Sequence, residues 1–308
     1  MEIVEKITAI LKASLRIAAF FFPSPFNVFI HRMAGATIGK HVTMHPGVFL
    51  MANSIDIKDG AIIKFGVMIF ARKFTLGRKS SVGFFTLVKG ESDLIVGDAC
   101  IIGPKCMINC SRSVTLDYYS GIGPGSYLYT HGSGMPVTEG YRATFAPITI
   151  GSKVWVSMRS IIGPGVRIGN GTSVMPGSVV MENIGTNRLV VGDPAKNNNI
   201  PMLLTPIKCE NLDKFAYDML KEYCMWSNEF KKRNILFVDG TLCIQNRRRD
   251  FTVKINDNDC DIVLYTNVGA KRDGMFFNIP DLLTDERCHP EKDMIEAYMR
   301  LYYGLIFL

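Results

Sequence analysis

Aliphatic residues recur along the first two thirds of the chain at intervals of six, and a glycine or small polar residue usually follows them. An α-helix would give a period near 3.6 and a plain strand a period of 2, so neither explains this spacing. A six-residue period is typical of a parallel β-helix, in which short strands form flat sides and each coil lies on the one before it. The clearest anchors are Val96, Ile102, Ile108, Leu116, Ile122, Leu128, Ile150, Val156, Ile162, Ile168, Val174 and Val180.

Read in threes, the anchors predict an all-β solenoid of about seven coils. Successive coils begin 18 to 20 residues apart, except for one interval of 34 residues after Leu116. Extra residues at a single corner leave the stacked sides intact, so the long interval predicts a loop that projects from the solenoid. The coils are expected to begin at Ile38, Ile57, Leu76, Val96, Leu116, Ile150 and Ile168.

The repeat ends near Asp193, which leaves about a third of the 308-residue chain outside it. We expect an N-terminal helical cap over residues 1–34, the β-helix over residues 35–200, and a C-terminal α+β domain of unassigned role over residues 201–308. In this last segment, a helix is predicted at 211–230, strands at 235–238, 241–245, 251–255 and 262–265, and a second helix at 290–303. Its run of three arginines, Arg247 to Arg249, is either an exposed turn or an anion-binding cluster.

Residues 3–22 place apolar side chains at helical spacing, with lysine and arginine interspersed. This stretch is too short and too charged to span a bilayer. Glu2 and Glu5 argue against a signal peptide, whose first segment should be positive. The helix either covers the open end of the solenoid or lies in a membrane surface with its basic residues toward lipid phosphate. The second interpretation would make the protein peripheral at the inner membrane.

In the first coils, phenylalanines occupy repeat positions where a strict hexapeptide repeat would have smaller side chains. We expect these phenylalanines to point outward and to form a subunit contact. They are Phe65, Phe70, Phe74, Phe84 and Phe85.

His41 and His45 are predicted on the first coil and His131 on the fifth, about 19 Å away along the axis at about 4.8 Å per coil. A shared zinc ion is excluded because its ligands must lie within about 2.1 Å of the metal. No metal is expected.

Net charge and cysteine content indicate the type of ligand and the cellular compartment. The net charge is +7, and no basic helix or aromatic nucleic-acid platform accompanies it, so an anionic ligand is favoured over nucleic acid. The eight cysteines form no zinc-like pairs. Cys100 and Cys106 fall in the small inward positions of the repeat, where a thiol acts as a small hydrophobic group. A reducing, cytoplasmic compartment is therefore expected.

A series of short motifs runs through the later coils, and together they resemble the hexapeptide-repeat acyltransferases. Within that family the resemblance is to galactoside, maltose and capsular-sugar O-acetyltransferases, and it is specific from about Ile95 to Lys196. It implies a left-handed solenoid, an exception to the usual right-handed crossover, and a homotrimer with active sites between subunits. The motifs are Ile108–Cys110, Ile122–Gly125, Tyr129–His131, Ala146–Val156, Ile162–Val166, Pro176–Val180 and Val191–Lys196.

The resemblance places the catalytic base at His131, which opens the long insertion. Acyl transfer from a thioester to a sugar hydroxyl needs a base to remove the hydroxyl proton, and histidine is suited to this at neutral pH. Asn109 matches the family position whose amide contacts the acceptor, although an asparagine at a solenoid corner can also be structural. In the family, the loop corresponding to residues 132–146 shapes the acceptor pocket, so its polar residues are candidate acceptor contacts. These are Glu139, Tyr141 and Arg142.

The same resemblance implies that coenzyme A lies along the last coils, with cations at its phosphate end. Two departures weaken this assignment. Ser157 replaces a usual glycine, and Met181–Glu182 stands where the family commonly has a threonine–lysine pair. The candidate coenzyme residues are Lys153, Trp155, Met158, Pro176 and Lys196.

The resulting prediction is an acetyl-CoA-dependent O-acetyltransferase that acts on a carbohydrate, with a bacterial surface polysaccharide or its precursor as the favoured acceptor. Two enzymatic alternatives stay open: N-acetylation of an amino sugar or nucleotide sugar, and O-acetylation of a small molecule such as serine. A third alternative is a trimeric scaffold without activity.

Overall fold

The structure is a computed structural model. It describes residues 2–132, 138, 140, 143–196, 212–231, 235–238, 241–246, 249–256, 261–268, 271–278, 283–284, 294–295 and 298–300. Contacts divide the chain into two compact units, Met1–Leu203 and Leu204–Leu308.

The first unit consists of two helices followed by a stack of short strands. The helices are α1 (Glu2–Ala19) and α2 (Phe26–Met33). The strands are β1 (Thr37–Ile38), β2 (Thr43–Met44), β3 (Phe49–Ile57), β4 (Ile62–Ile63), β5 (Met68–Leu76), β6 (Ser81–Val82), β7 (Leu87–Lys89), β8 (Asp93–Val96), β9 (Ile101–Ile102), β10 (Met107–Asn109), β11 (Val114–Leu116), β12 (Gly121–Ile122), β13 (Tyr127–Tyr129), β14 (His131–Gly132), β15 (Thr144–Phe145), β16 (Ile148–Ile150), β17 (Trp155–Val156), β18 (Ile161–Ile162), β19 (Arg167–Ile168), β20 (Ser173–Val174), β21 (Val179–Val180), β22 (Leu189–Gly192) and β23 (Ala195–Lys196).

These strands form the three flat sides of a parallel β-helix. Face 1 stacks β1, the second halves of β3 and β5, β8, β11, β16 and β19. Face 2 is the stack from β2 through β4, β6, β9, β12, β17 and β20 to β22. Face 3 stacks the first halves of β3 and β5, then β7, β10, β13, β18 and β21. The third corner is the turn by which each coil passes from face 3 to face 1 of the next.

The register of face 1 confirms the predicted coils, because each predicted first anchor lies beside the next one. The pairs are Ile38 with Ile57, Ile57 with Leu76, Leu76 with Val96, Val96 with Leu116, Leu116 with Ile150, and Ile150 with Ile168. An isolated bridge joins Ile168 to Ile184 and starts an eighth, incomplete coil that the sequence did not reveal. The solenoid therefore has about eight turns.

The corners between faces contain an internal ladder of small polar side chains. The buried Ser120 hydroxyl donates to the carbonyl of Gly151 over 2.6 Å and accepts from the N–H of Val154 over 3.0 Å, so it joins its coil to the next. Cys100 fills the equivalent place one coil earlier, and its thiol donates to the carbonyl of Asp117 over 2.8 Å. The inward cysteines therefore substitute for serine as hydrogen-bond donors as well as filling space.

The outward assignment of the early phenylalanines is wrong for Phe74. Phe65, Phe70, Phe84 and Phe85 are exposed, but Phe74 is completely buried. It lies two residues before the anchor Leu76 in β5, and residues two apart in a strand point to the same side. Its neighbours in the stack, Ile55 and Leu94, are also buried.

The N-terminal segment contains a second helix, α2, which the sequence did not predict. Val28 of α2 belongs to the hydrophobic core of the solenoid, and Asn27 and His31 are also buried. Helix α1 lies against α2 and β3, and the Arg16 guanidinium donates from Nη1 to the carbonyl of Ala52 over 2.6 Å. Helix α2 therefore packs on the first coil, and α1 packs outside it.

The second unit contains helix α3 (Leu212–Lys231) and an antiparallel sheet whose strands pair in sequence order. The sheet includes the four strands that the sequence predicted and two further ones. Its strands are β24 (Ile235–Val238), β25 (Thr241–Asn246), β26 (Arg249–Asn256), β27 (Asp261–Val268), β28 (Lys271–Asn278) and β29 (Leu283–Thr284).

Candidate active site

His131 lies at the third corner, at the base of the long insertion. The insertion leaves the solenoid as a short antiparallel ladder, in which β14 pairs with β15 and His131 lies opposite Phe145. The N–H of Ala146 donates to the carbonyl of Thr130 over 3.0 Å and closes the base of this ladder. The histidine backbone is therefore fixed by strand pairing although it stands at the start of a loop.

The imidazole of His131 is held by Asn109, which ends strand β10 on the preceding coil. The His131 Nδ1 atom lies 2.9 Å from the Asn109 Oδ1 atom. The same Oδ1 accepts the backbone N–H of Ser111 over 3.1 Å and lies 3.0 Å from the Thr130 hydroxyl. The coils bring together two residues that are 22 positions apart in the chain, because Asn109 pairs with Tyr129 across the stack.

This arrangement determines which nitrogen of His131 carries hydrogen in the neutral ring. The N–H of Ser111 can only donate, so the amide atom that faces it must be the oxygen and not the nitrogen of Asn109. An oxygen in that position can only accept, so the His131 Nδ1 atom donates to it. The Nε2 atom then carries the lone pair and can accept a proton.

Buried polar groups hold Asn109 in turn. The Thr130 side chain is completely buried, and its Oγ1 accepts the N–H of Arg112 over 3.0 Å. Oγ1 also lies 3.0 Å from both the carbonyl and the Oδ1 of Asn109. The Ser111 hydroxyl lies 3.4 Å from His131 Nδ1, a longer and weaker contact. The orientation of the imidazole therefore depends on groups from two adjacent coils.

An aromatic ring covers one side of the imidazole. Phe145 stacks on His131 with ring centroids 5.6 Å apart and planes 14° from parallel. The Arg112 guanidinium lies over the same phenylalanine, 5.3 Å from its centroid. Histidine, phenylalanine and arginine thus form a contact series at the third corner, which restricts rotation of the imidazole and places a positive charge one ring away from it.

The sequence did not identify Ser111, Thr130, Arg112 or Phe145 as site residues. A signal was present for two of them, since Thr130 directly precedes His131 and Ser111 follows Asn109 by two positions. The predicted acceptor contacts Glu139, Tyr141 and Arg142 lie outside the residues that the structure describes.

The candidate coenzyme residues lie elsewhere on the solenoid. Trp155 is exposed on face 2, and its ring covers Gly121 so closely that a Cβ at that position would overlap the indole. Met158 follows β17 and Pro176 follows β20, both exposed at the turns that lead from face 2 to face 3. The predicted set thus forms an exposed strip along the last two complete coils.

The two predicted cations lie on either side of these residues along the chain. Lys153 precedes β17 in a turn with φ of 55°, and its N–H donates to the carbonyl of Tyr118 over 2.8 Å. Lys196 is exposed in β23, which pairs antiparallel with β22. On one chain, the width of face 3 separates this strip from His131 at the third corner.

Comparison with known proteins supports the six-residue repeat and shows similarity to acetyltransferases. A family model described as "Bacterial transferase hexapeptide (six repeats)" matches residues 147–181. The protein named "Putative colanic acid biosynthesis acetyltransferase WcaF" from Escherichia coli is 27% identical over 170 residues, which are 55% of this chain and 72% of the relative. The galactoside O-acetyltransferase of Escherichia coli is 25% identical over 165 residues, 52% of this chain and 62% of that enzyme.

Among solved structures, a hexapeptide-repeat acetyltransferase from Vibrio cholerae in complex with acetyl coenzyme A matches 62% of this chain and 85% of its own. The identity is 17% and the TM-score 0.34, so this likeness does not bear on function. The stacked register of the coils, the matched repeat model and the related acetyltransferases agree: the chain contains a hexapeptide-repeat β-helix and is similar to the hexapeptide-repeat acyltransferases.

Proposed function

We propose that the protein is an acetyl-CoA-dependent O-acetyltransferase that acts on a hydroxyl group of a carbohydrate, with His131 as the general base. The observation that carries the proposal is the 2.9 Å contact between His131 Nδ1 and Asn109 Oδ1. Because Asn109 Oδ1 accepts, the basic lone pair is confined to Nε2. Acyl transfer needs such a base with a defined direction.

The proposed reaction needs only His131, Asn109 and the two substrates, acetyl-CoA and the acceptor. Nε2 of His131 takes the proton of the acceptor hydroxyl as its oxygen forms a bond to the thioester carbonyl carbon. Asn109 Oδ1 stabilises the imidazolium that results, through the Nδ1–H bond. The carbon–sulfur bond of the tetrahedral intermediate then breaks, and the imidazolium returns its proton to the leaving sulfur. The products are an acetyl ester and the free thiol of coenzyme A.

Two features near His131 support a sugar acceptor. The amide nitrogen of Asn109 has no hydrogen-bond partner among the described residues, so it can donate to an acceptor hydroxyl. Tyr127 and Tyr129 stack with planes 10° apart beside it on face 3, and aromatic faces suit the apolar face of a sugar ring. One relative is named for colanic acid biosynthesis and another for galactoside acetylation. We propose a bacterial surface polysaccharide or its precursor, contacted also by Glu139, Tyr141 and Arg142.

The same geometry favours a homotrimer. The strip with Trp155, Met158 and Pro176 is separated from His131 by face 3 on one chain, so a thioester that lies along this strip would reach His131 only from a neighbouring copy. Lys153 and Lys196 would contact phosphate groups of the coenzyme. We place the reaction in the cytoplasm because Cys100, Cys106 and Cys110 are buried as free thiols in the solenoid.

The experiment is a release assay with acetyl-CoA, in which a thiol reagent detects free coenzyme A with galactosides, oligosaccharides, amino sugars or serine as acceptors. Burial raises the pKa of Cys100 to about 11 and that of Cys110 to about 12, so these thiols are expected to add little background. We expect turnover with carbohydrate hydroxyls and its loss in His131→Ala.

The other outcomes separate the alternatives. Turnover only with amino sugars would indicate N-acetylation, and turnover only with serine would indicate a small-molecule enzyme. Weaker coenzyme binding by Trp155→Ala than by the wild type would support the proposed strip, whereas unchanged coenzyme affinity in that variant would contradict it. Absence of coenzyme binding to the wild-type protein would favour a scaffold.

A further inference from the structure

Helix α1 is amphipathic, and from Ile10 onward its largest exposed apolar side chains lie away from the solenoid. Arg16 is 8% exposed, and its guanidinium bonds to the solenoid backbone at Ala52. Ile10, Leu11 and Ile17 are between 50% and 66% exposed on the opposite side. A helix that only covered the solenoid would bury its apolar residues against it. Here Arg16 is directed inward with the small residue Ala19, whereas Ile10, Leu11 and Ile17 are directed outward.

Further exposed apolar side chains follow α1 in the chain. Phe21 is 73% exposed at the end of α1. On α2, Phe26, Phe29 and Met33 share one side of the helix, and each is more than 60% exposed, while the buried residues lie on the other side. Apolar residues scattered singly over a surface are common, but contiguous patches mark interaction sites. We call this set, together with Ile10, Leu11 and Ile17, the N-terminal apolar surface.

The charge of this segment is unbalanced. Residues 6–55 contain no aspartate or glutamate. The cations of this segment are Lys6, Lys12, Arg16, Arg32 and Lys40. Helix α1 begins with Glu2 and Glu5, so the segment is basic on balance. An apolar surface in such a segment complements a layer that is apolar inside and anionic at its face.

We propose that α1 and α2 lie in the surface of a lipid bilayer that contains anionic lipids, with the N-terminal apolar surface in the acyl boundary and the exposed Lys12 and Lys40 at the phosphates. Among the described residues, no helix is long and apolar enough to cross a membrane, so the contact is in the plane of the bilayer. This proposal does not depend on the reaction assigned to His131.

A second copy of the chain is a less suitable partner for the N-terminal apolar surface than a lipid bilayer. Two copies that met through this surface would bring two net-positive segments together, each with five cations up to residue 55 against only Glu2 and Glu5. Anionic headgroups supply the opposite charge directly, at about 1 kcal/mol, or about fivefold in binding, for each basic residue near the surface.

The test is sedimentation of the full-length protein with vesicles of phosphatidylcholine alone, or of equal parts phosphatidylcholine and phosphatidylglycerol. We expect binding to the anionic vesicles that weakens with salt, and little binding to the neutral ones. Ile17→Ser combined with Phe21→Ser should lower the partition coefficient at least about tenfold. Lys12→Gln combined with Lys40→Gln should lower it about fivefold for each charge removed.

Val191→Ser is the matched control, because Val191 is 47% exposed on β22, the strand of the final coil. This control should bind vesicles like the wild type. Thermal unfolding of each variant without lipid checks that the fold is retained. A further variant, Phe29→Trp, keeps an apolar residue and should show blue-shifted emission only with anionic vesicles.

Three results would overturn the proposal. They are no binding to anionic vesicles at low salt, equal binding by the Ile17→Ser/Phe21→Ser variant, and a fall in oligomer mass in that variant without lipid. The last result would assign the surface to contacts between copies.

Discussion

The bond between Asn109 and His131 gives the sharpest prediction about the site, tested by Asn109→Ala. The substitution removes the acceptor at 2.9 Å from Nδ1 and leaves the imidazole free to rotate or to adopt the other tautomer. The bond stabilises an imidazolium in the transition state, and hydrogen bonds to charged groups contribute about 1.5–3 kcal/mol. We therefore expect kcat to fall about 10- to 150-fold.

The assay is steady-state release of coenzyme A with each substrate varied in turn. The KM for acetyl-CoA should change little, because Asn109 lies away from the proposed coenzyme strip. Asn109→Asp keeps an acceptor at the same place and should retain more activity than Asn109→Ala.

Folding is the necessary control, because Asn109→Ala also removes the acceptor of the Ser111 N–H. A partly buried donor without a partner costs about 1 kcal/mol or more, which a thermal unfolding curve would reveal. A folded Asn109→Ala protein with kcat within threefold of the wild type would refute the positioning role of Asn109.

Phe145→Leu removes the ring stacked on His131, and we expect kcat to fall about 2- to 10-fold with unchanged affinity for acetyl-CoA, measured in the same release assay. Ser120→Ala breaks two bonds of the internal ladder and should lower the free energy of unfolding by about 1–3 kcal/mol in denaturant titrations, whereas Ser120→Cys should recover part of the loss through its thiol donor. Burial, and then the charge of Arg16, lower the pKa of His31, so the folded state binds fewer protons than the unfolded state at mildly acidic pH. Stability should therefore fall as pH drops through about 6.5, and thermal unfolding of His31→Leu should lack that part of the pH dependence.

The coils could be predicted from sequence because each one is a local repeat, and the stack adds only the next copy of the same pattern. The predicted anchor Leu116 therefore lies beside Ile150 even across the long insertion. The incomplete eighth coil escaped prediction because Ile184 follows Ile168 by 16 residues, outside the regular spacing. Phe74 was placed outward because of its size, although its position two residues before Leu76 indicates the interior.

The candidate site was only partly predictable. His131 stood out because it opens the insertion, but its hydrogen-bond partner Asn109 belongs to another coil, and only the stacking brings the two together. Phe145 comes from the far end of the insertion, so its contact with His131 depends on the pairing of β14 with β15. The outward apolar side of α1 depends on the bond of Arg16 to the solenoid backbone. Sequence spacing shows two sides of that helix without showing which side packs.

The most direct test of the central claim is a comparison of kcat for acetyl transfer between the wild-type protein and His131→Ala, with acetyl-CoA binding measured separately by calorimetry. Loss of a general base should lower kcat about 10²- to 10⁴-fold while the affinity for acetyl-CoA is retained. A His131→Ala protein that transfers acetyl groups within tenfold of the wild-type rate would contradict the assignment of His131 as the base.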